Sequence, residues 1–528
     1  MKKLSTIFKA TGFNLLSLSL TIPVALFLCF SLVHAQTWEK VPKKTQAQAT
    51  AGLSGGEGQQ MIFGIQYATT NTNTAYLVTD TNQVWKTTNA NGTETIWNRK
   101  ANGFLAAGGI SLAVDPTDEN IVYVAGSLNM SGVDDSVLNP VEGIFRTTDG
   151  GDNWTLVTSY SYSSYVFSGK AYFKRSVGFG NHIAFAGTDL YAAPSTGGLL
   201  RSANGTTWTL VDKNGGGYVL DTVECRNISI HPSSIAGSAT CFVSATNGLW
   251  RIRDNNGSAT VIQIGSGLPS YPYQIAFGSS TPNTIYAADG TSGIYRSTDG
   301  GVTFSARNNG LSSAISAGGS ARYIAMSPVD QNKLLMSFRG ITGNHIYYTN
   351  DAGANWIQTS NMDEQNANGW IAGSTFSQSP GAYERGIDDA QAPIAFHPTD
   401  KNIALTCGWG NQIKKTTDGG TTWRYSNSGY LGAAQGHYGV THIGWDSTNV
   451  NRVLFGHGDF GPVLTEDGES TFKNIKTTWN GRSSTDSLAM RDTIIVGAVG
   501  PGASQRLHVS RNSGTSWTGL PGTEANYS

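Results

Sequence analysis

Two aspartates stand where strand-like runs give way to loops. Asp80 ends Ala75-Tyr76-Leu77-Val78-Thr79-Asp80, and Asp459 ends Val453-Leu454-Phe455-Gly456-His457-Gly458-Asp459. Each follows the second strand of its sequence unit, so the two occupy matching places in a repeat. Paired carboxylates suit cleavage of a glycosidic bond. One carboxyl protonates the leaving oxygen, and the other activates water or attacks the sugar carbon. A single aspartate at a strand end is better read as a turn cap, so the signal lies in the pair.

The elements that must position them announce themselves through an eight-residue motif. Ser297-Thr298-Asp299-Gly300-Gly301-Val302-Thr303-Phe304 returns from Thr147 to Trp154, from Thr349 to Trp356 and from Thr416 to Trp423. Weaker copies run from Thr465 to Phe472 and from Ser510 to Trp517, with a shortened one from Ser202 to Trp208. The pattern is Ser/Thr, any, Asp, any, Gly, any, Ser/Thr/Asn, aromatic. Such an Asp and hydroxyl bond backbone N–H groups within a tight turn. The glycines supply positive φ where the chain reverses, and the aromatic closes onto a core. Asp149, Asp299, Asp351 and Asp418 are therefore read as structural.

Each motif belongs to a longer unit. Leu112–Pro116 leads to a second strand at Asn120–Val124, and Ile394–Pro398 leads to Asn402–Leu405. A third strand enters the turn and a fourth leaves it, which predicts an all-β chain of four-stranded propeller blades. Closing aromatics at Trp97, Trp154, Trp208, Phe304, Trp356, Trp423, Phe472 and Trp517 mark eight units, and a further unit around Gly248-Leu249-Trp250-Arg251 lacks the motif. Seven units end by Trp423. The expectation is a seven-bladed β-propeller over 36–430, then the first blades of a second, incomplete propeller over 431–528. One larger propeller is the rival arrangement.

Composition agrees with a turn-rich β protein: 528 residues include 65 glycines, and only 13% are charged. A net charge of −1 excludes a basic field for nucleic acid. Lys2, Lys3 and Lys9 precede an apolar run that ends at Val33-His34-Ala35, the pattern of a signal peptide over 1–35. No later segment is long and apolar enough to span a bilayer. The expected location is therefore secreted or extracellular, or else periplasmic or at the cell surface, without membrane attachment after cleavage. Cys225, Cys241 and Cys407 remain after cleavage; the first two either pair or stay as buried thiols. The nine histidines show no ligand spacing, and no phosphate loop or nucleophile elbow is present, so no metal or cofactor is expected.

The repeated turn resembles the Asp box (BNR repeat) of sialidases, sortilin-type receptors and some glycosidases. From about Gly55 onward the chain resembles the two-propeller xyloglucanases of glycoside hydrolase family 74. A Gly-rich lead, Gly55-Gly56-Glu57-Gly58, precedes Tyr76-Leu77-Val78-Thr79-Asp80, as in that family's opening motif. Gly458-Asp459-Phe460-Gly461 resembles the motif early in its second propeller. The resemblance implies Asp80 as catalytic base and Asp459 as catalytic acid, inversion at the sugar carbon, and a β-glucan-type plant polysaccharide such as xyloglucan as substrate. Asn82-Gln83 and Pro462 depart from the family's glycines.

Trp370, Tyr383 and Trp409 are candidates for stacking on sugar rings. Trp370 and Tyr383 sit in a long stretch, 357–391, that exceeds what a blade needs, as does 157–180. Two other classes compete. A sialidase would need an arginine cluster and a Tyr/Glu pair, for which Tyr383-Glu384-Arg385 is the one local group. A non-catalytic secreted propeller would bind carbohydrate or protein through the same fold.

Overall fold

A computed structural model describes residues 62–79, 84–92, 95–106, 108–127, 143–157, 181–194, 197–214, 217–220, 223–339, 346–359, 393–407, 413–426, 440–457, 461–466, 473–475, 485–499 and 507–520. All of them fall in one compact unit, Lys43–Ser528. They form nine four-stranded antiparallel sheets, each a simple meander, and a two-stranded ribbon of Lys213–Asn214 and Gly217–Tyr218. In chain order the sheets span 62–99, 108–156, 183–210, 225–264, 274–306, 320–358, 394–425, 440–474 and 485–519, and are called sheets 1 to 9. A single helical turn, Ser312–Ser316, sits between sheets 5 and 6.

In sheets 1 and 2 inner strands are buried on both faces, as their largely apolar runs require. Ala75–Thr79 and Gly108–Val114 are buried at every position. Several fourth strands are the opposite, although that of sheet 4 runs through seven residues, Ser258–Ile264. Asn98–Arg99, Thr155–Leu156, Ser305–Ala306 and Ile357–Gln358 are two residues long and exposed. Such short edges offer little template for pairing with another chain.

The third and fourth strands are joined by the repeated turn. In sheet 2 the Thr147 hydroxyl donates to Asp149 Oδ1 at 2.7 Å and accepts from the Gly151 N–H at 2.9 Å. Asp149 Oδ1 also accepts the Asn153 N–H at 2.9 Å, and Oδ2 accepts the Asn153 amide at 2.8 Å. Ser297 and Asp299, Thr349 and Asp351, and Thr416 and Asp418 repeat the scheme. Asn204 and Asn512 take the carboxylate's place in sheets 3 and 9. Gly150, Gly300 and Gly419 have φ between 71° and 74°, and Ala352 is held at φ 58° in the matching position.

Two kinds of contact join several of the sheets to their neighbours. The first is an indole bond. Trp154 Nε1 donates to the carbonyl of Lys100, the residue just past the last strand of sheet 1. Trp356 does the same to Arg307 past sheet 5, and Trp517 to Ile475 past sheet 8. The indole N–H groups of Trp208 and Trp423 make no such bond. The second is a cation set on the next sheet's turn. Arg251 of sheet 4 donates to the Gly300 carbonyl at 3.2 Å, and Arg452 of sheet 8 donates to Ser513 Oγ at 2.8 Å.

The first strands of sheets 1 to 7 touch in chain order, and that of sheet 7 touches that of sheet 1. One buried cluster joins Ile62, Leu77 and Trp97 of sheet 1 to Ile394, Leu405 and Trp423 of sheet 7. Sheets 8 and 9 pack on each other through Leu454, Leu464, Leu488, Ile495 and Trp517.

Cys225 and Cys241 are buried free thiols. Cys225 pairs with Ala245 in the strand register, whereas Cys241 pairs with Ile230, so the two lie toward opposite ends of the same strand pair. Burial pushes both thiols above their ordinary range. The side chain of Cys407 and the predicted signal peptide lie outside the described residues.

Candidate functional site

Asp80, Asp459, Trp370, Tyr383 and Trp409 all lie outside the described residues, as do most of the long stretches 157–180 and 357–391. The frame around three of them is described. Asp80 falls between Ala75–Thr79 and Val84–Thr87, the second and third strands of sheet 1. Asp459 falls between Val453–His457 and Gly461–Thr465, the same pair in sheet 8. Trp409 falls between Ala404–Cys407 and Ile413–Thr416 of sheet 7. In each case the flanking strands are held as an antiparallel pair.

A third aspartate occupies this kind of link, and the sequence reading passed over it. Asp289 follows Ile285–Ala288 directly, as Asp80 follows Thr79. Its carboxylate is fully buried, and it accepts the Ser270 hydroxyl at 3.0 Å and the Ser270 N–H at 3.1 Å. Burial pushes its pKa up, while the Ser270 bonds and the charge of Arg226 pull the other way. The signal was present in Ala287-Ala288-Asp289-Gly290, but Asp-Gly after a strand reads first as a hairpin turn. Here the residue ties the 265–273 loop to sheet 5.

That loop walls a pocket of about 340 Å³ whose lining includes Arg226, Tyr271, Tyr273, Thr291, Ser320 and Arg322. Three consecutive sheets supply the charged and aromatic groups. Arg226 and Arg322 lie in the first strands of sheets 4 and 6, and Tyr273 directly precedes that of sheet 5. Both arginines sit where the register with the second strand shifts, between Cys225 and Asn227 and between Ala321 and Tyr323. A bulge re-aims the side chain of its extra residue. The equivalent shifts in sheets 1 and 2 carry Phe63 and Ile110, both buried in apolar contacts. In sheets 4 and 6 the same device turns guanidinium groups toward Tyr273, with their carbons 4.2 and 3.6 Å from the ring centroid. Arg226 also donates to the Tyr271 carbonyl at 2.9 Å. Tyr271 itself is 43% exposed. The arrangement offers positive charge and an open aromatic face.

No protein-family model matches the chain. No curated protein matches it. Solved structures do. The GH74 xyloglucanase from Xanthomonas campestris superposes over 90% of this chain and 69% of its own, with a TM-score of 0.59 and 16% identity. The GH74 enzyme of Niastella koreensis covers 90% of this chain and 74% of its own, at TM-score 0.53 and 17% identity. An ancestral GH74 enzyme covers 92% of this chain and 64% of its own, at TM-score 0.60 and 15% identity. The chain thus has the β-propeller fold of these enzymes.

Proposed function

We propose that the chain is a secreted glycoside hydrolase acting on β-glucan-type plant polysaccharide of the xyloglucan kind. In this reading Asp459 is the general acid, Asp80 is the base that activates water, and the reaction inverts the sugar carbon. Trp370, Tyr383 and Trp409 stack on sugar rings. The repeated turns are Asp boxes, 36–430 is one closed seven-bladed propeller, and 431–528 begins a second. Contacts between sheets 7 and 1 support the closed ring.

The observation that carries the reading is the likeness to GH74 enzymes over about nine-tenths of the chain. To it the sequence adds an aspartate in the second-to-third-strand link of both sheet 1 and sheet 8. The test is incubation of the purified protein with xyloglucan, mixed-linkage β-glucan and cellulose oligosaccharides. Reducing ends are measured, and the anomer first released is read by NMR. Release of the α-anomer from a β-glucan, abolished in Asp80→Asn, is the expected result. No release from any β-glucan would end the hydrolase reading.

Asp289 favours a second reading. It stands where Asp80 stands, yet its carboxylate is taken up by Ser270 in bracing a loop. If Asp80 serves its own loop in that way, the chain is a binding propeller without catalysis. Polysaccharide binding without hydrolysis, unaltered in Asp80→Asn, would identify it.

A further inference from the structure

We propose that the pocket between sheets 4, 5 and 6 binds an acidic sugar residue, holding its carboxylate with Arg226 and Arg322. The inference does not depend on hydrolysis, since it concerns binding at residues distinct from Asp80 and Asp459.

Three features lead to it. First, the pocket is built rather than incidental. Two register shifts deliver an arginine each to one tyrosine, although the sheets that carry them are separated by a third. Where sheets 1 and 2 have the same shifts, they bury Phe63 and Ile110. Arginine at these positions gives up that apolar contact, so its gain must come from charge or hydrogen bonding.

Second, the two cations are held at one ring by cation–π attraction, which presets their positions. Guanidinium is the side chain best matched to a planar carboxylate, through paired N–H donors. The Asp289 carboxylate beside the pocket is fully buried and engaged by Ser270, so it braces the wall.

Third, the remaining lining suits a sugar. Tyr271 presents an exposed ring beside the arginines, and an aromatic face packs against the C–H face of a pyranose. Thr291 and Ser320 add hydroxyls able to bond a sugar's own. A volume of about 340 Å³ falls in the range of small-ligand sites.

The experiment is calorimetric titration of the full chain with galacturonate and glucuronate oligosaccharides, neutral galactose and glucose oligosaccharides, a sulfated galactose oligosaccharide, and a glutamate-rich peptide. Binding of the uronates, weakened by added salt and absent for the neutral sugars, is expected. Arg322→Gln and Arg226→Gln should each weaken it about tenfold. Arg322→Lys, which keeps the charge without the fork, should fall between. Thr291→Trp, at the exposed rim, should block binding while leaving both arginines in place. Near-UV circular dichroism of each variant separates loss of the site from loss of the fold. Equal binding of neutral and acidic sugars, or unaltered binding in Arg322→Gln and Thr291→Trp, overturns the proposal. Binding of the sulfated sugar or the peptide in preference to both uronates overturns the carboxylate-sugar assignment. Hydrolysis measured in parallel keeps the outcomes apart, because Asp80→Asn should leave uronate binding intact.

Discussion

The Trp97 indole donates to the carbonyl of Ser426 at 2.8 Å, across 329 positions of sequence. Ser426 is the residue just past the last strand of sheet 7, as Lys100 is past sheet 1 and Arg307 past sheet 5. One bonding rule therefore serves neighbours in sequence and also joins sheet 7 to sheet 1. Its cation counterpart does the same: Lys415 of sheet 7 donates to the carbonyls of Ala90 at 2.5 Å and Gly92 at 2.8 Å in sheet 1.

Trp97→Phe keeps a ring in the core and removes the donor, leaving the Ser426 carbonyl without it. A loss of about 1–3 kcal/mol is expected, similar to that in Trp154→Phe. Urea denaturation with fixed slope compares the two. A loss at Trp154 with none at Trp97 would mean that the contact between sheets 7 and 1 adds nothing to stability.

The turn hydroxyls are buried, so losing one carries a sharp cost. Thr147→Val preserves shape but leaves the buried Gly151 N–H without its 2.9 Å acceptor. An unsatisfied buried donor costs about 1–3 kcal/mol. Any hydrolytic or binding activity per folded molecule should be unaltered, measured at matched folded concentrations. A large fall in activity without loss of stability would show that the turns do more than fold.

The turn carboxylates predict an acid limb of the stability profile. Bonds from the Asn153 side chain and backbone and from Thr147 pull Asp149 down from 3.8 to about 2, and those from Thr303 and Ser297 lower Asp299 as well. Each group favours the fold when ionised. Its contribution is present above the ordinary carboxylate range and is lost as pH falls from about 4 toward 2. Asp149→Asn should be less stable at neutral pH and lose less on acidification. Melting temperatures between pH 2 and 6 test this, and an identical acid slope in the variant would count against it.

Much of this architecture was legible because the turn chemistry is local. Ser297, Asp299, Gly301 and Thr303 satisfy one another within a few residues, so the pattern survives in sequence. The Arg226–Tyr273–Arg322 group was not legible. Its members come from three sheets, and the strand shifts that aim the arginines depend on pairing with distant residues. Asp289 was missed for a different reason. Its partner Ser270 lies 19 residues away, while the adjacent Gly290 explains it locally as a turn. The catalytic proposal for Asp80 and Asp459 rests on their sequence motifs and on the strands that flank them.

Lys415 predicts the opposite limb. Burial lowers its pKa from 10.5 to about 8, and Lys333 is lowered to about 8 by the same cause. Between about pH 8 and 10.5 the unfolded chain holds more protons than the folded one. Stability contributed by these groups therefore rises with pH across that window. Lys415→Met should flatten the rise and also leave the Ala90 and Gly92 carbonyls without their donor. Urea midpoints between pH 7.5 and 10 are the readout, and an unaltered slope would show that the ammonium is not desolvated.

The proposed acid and base are separable by leaving group. An acid must remain protonated near the working pH, and its work matters most when the departing oxygen is a poor leaving group. Asp459→Asn should therefore abolish cleavage of β-glucan chains yet retain measurable cleavage of an activated aryl glycoside, whose phenolate leaves without a proton. Asp80→Asn should remove both, because water is no longer activated whichever group departs. Inversion also requires room for that water, with carboxyls roughly 6.5–9.5 Å apart, whereas retention holds them near 5.5 Å. Added azide offers the matching check. In an inverting enzyme lacking its base, a small anion can attack in place of water and should restore turnover of the aryl substrate in Asp80→Asn. It should not restore glucan cleavage in Asp459→Asn, where the missing step is protonation. If both variants lose both substrates and azide rescues neither, the two residues are not acting as acid and base. If both variants keep full activity, neither belongs to the chemistry.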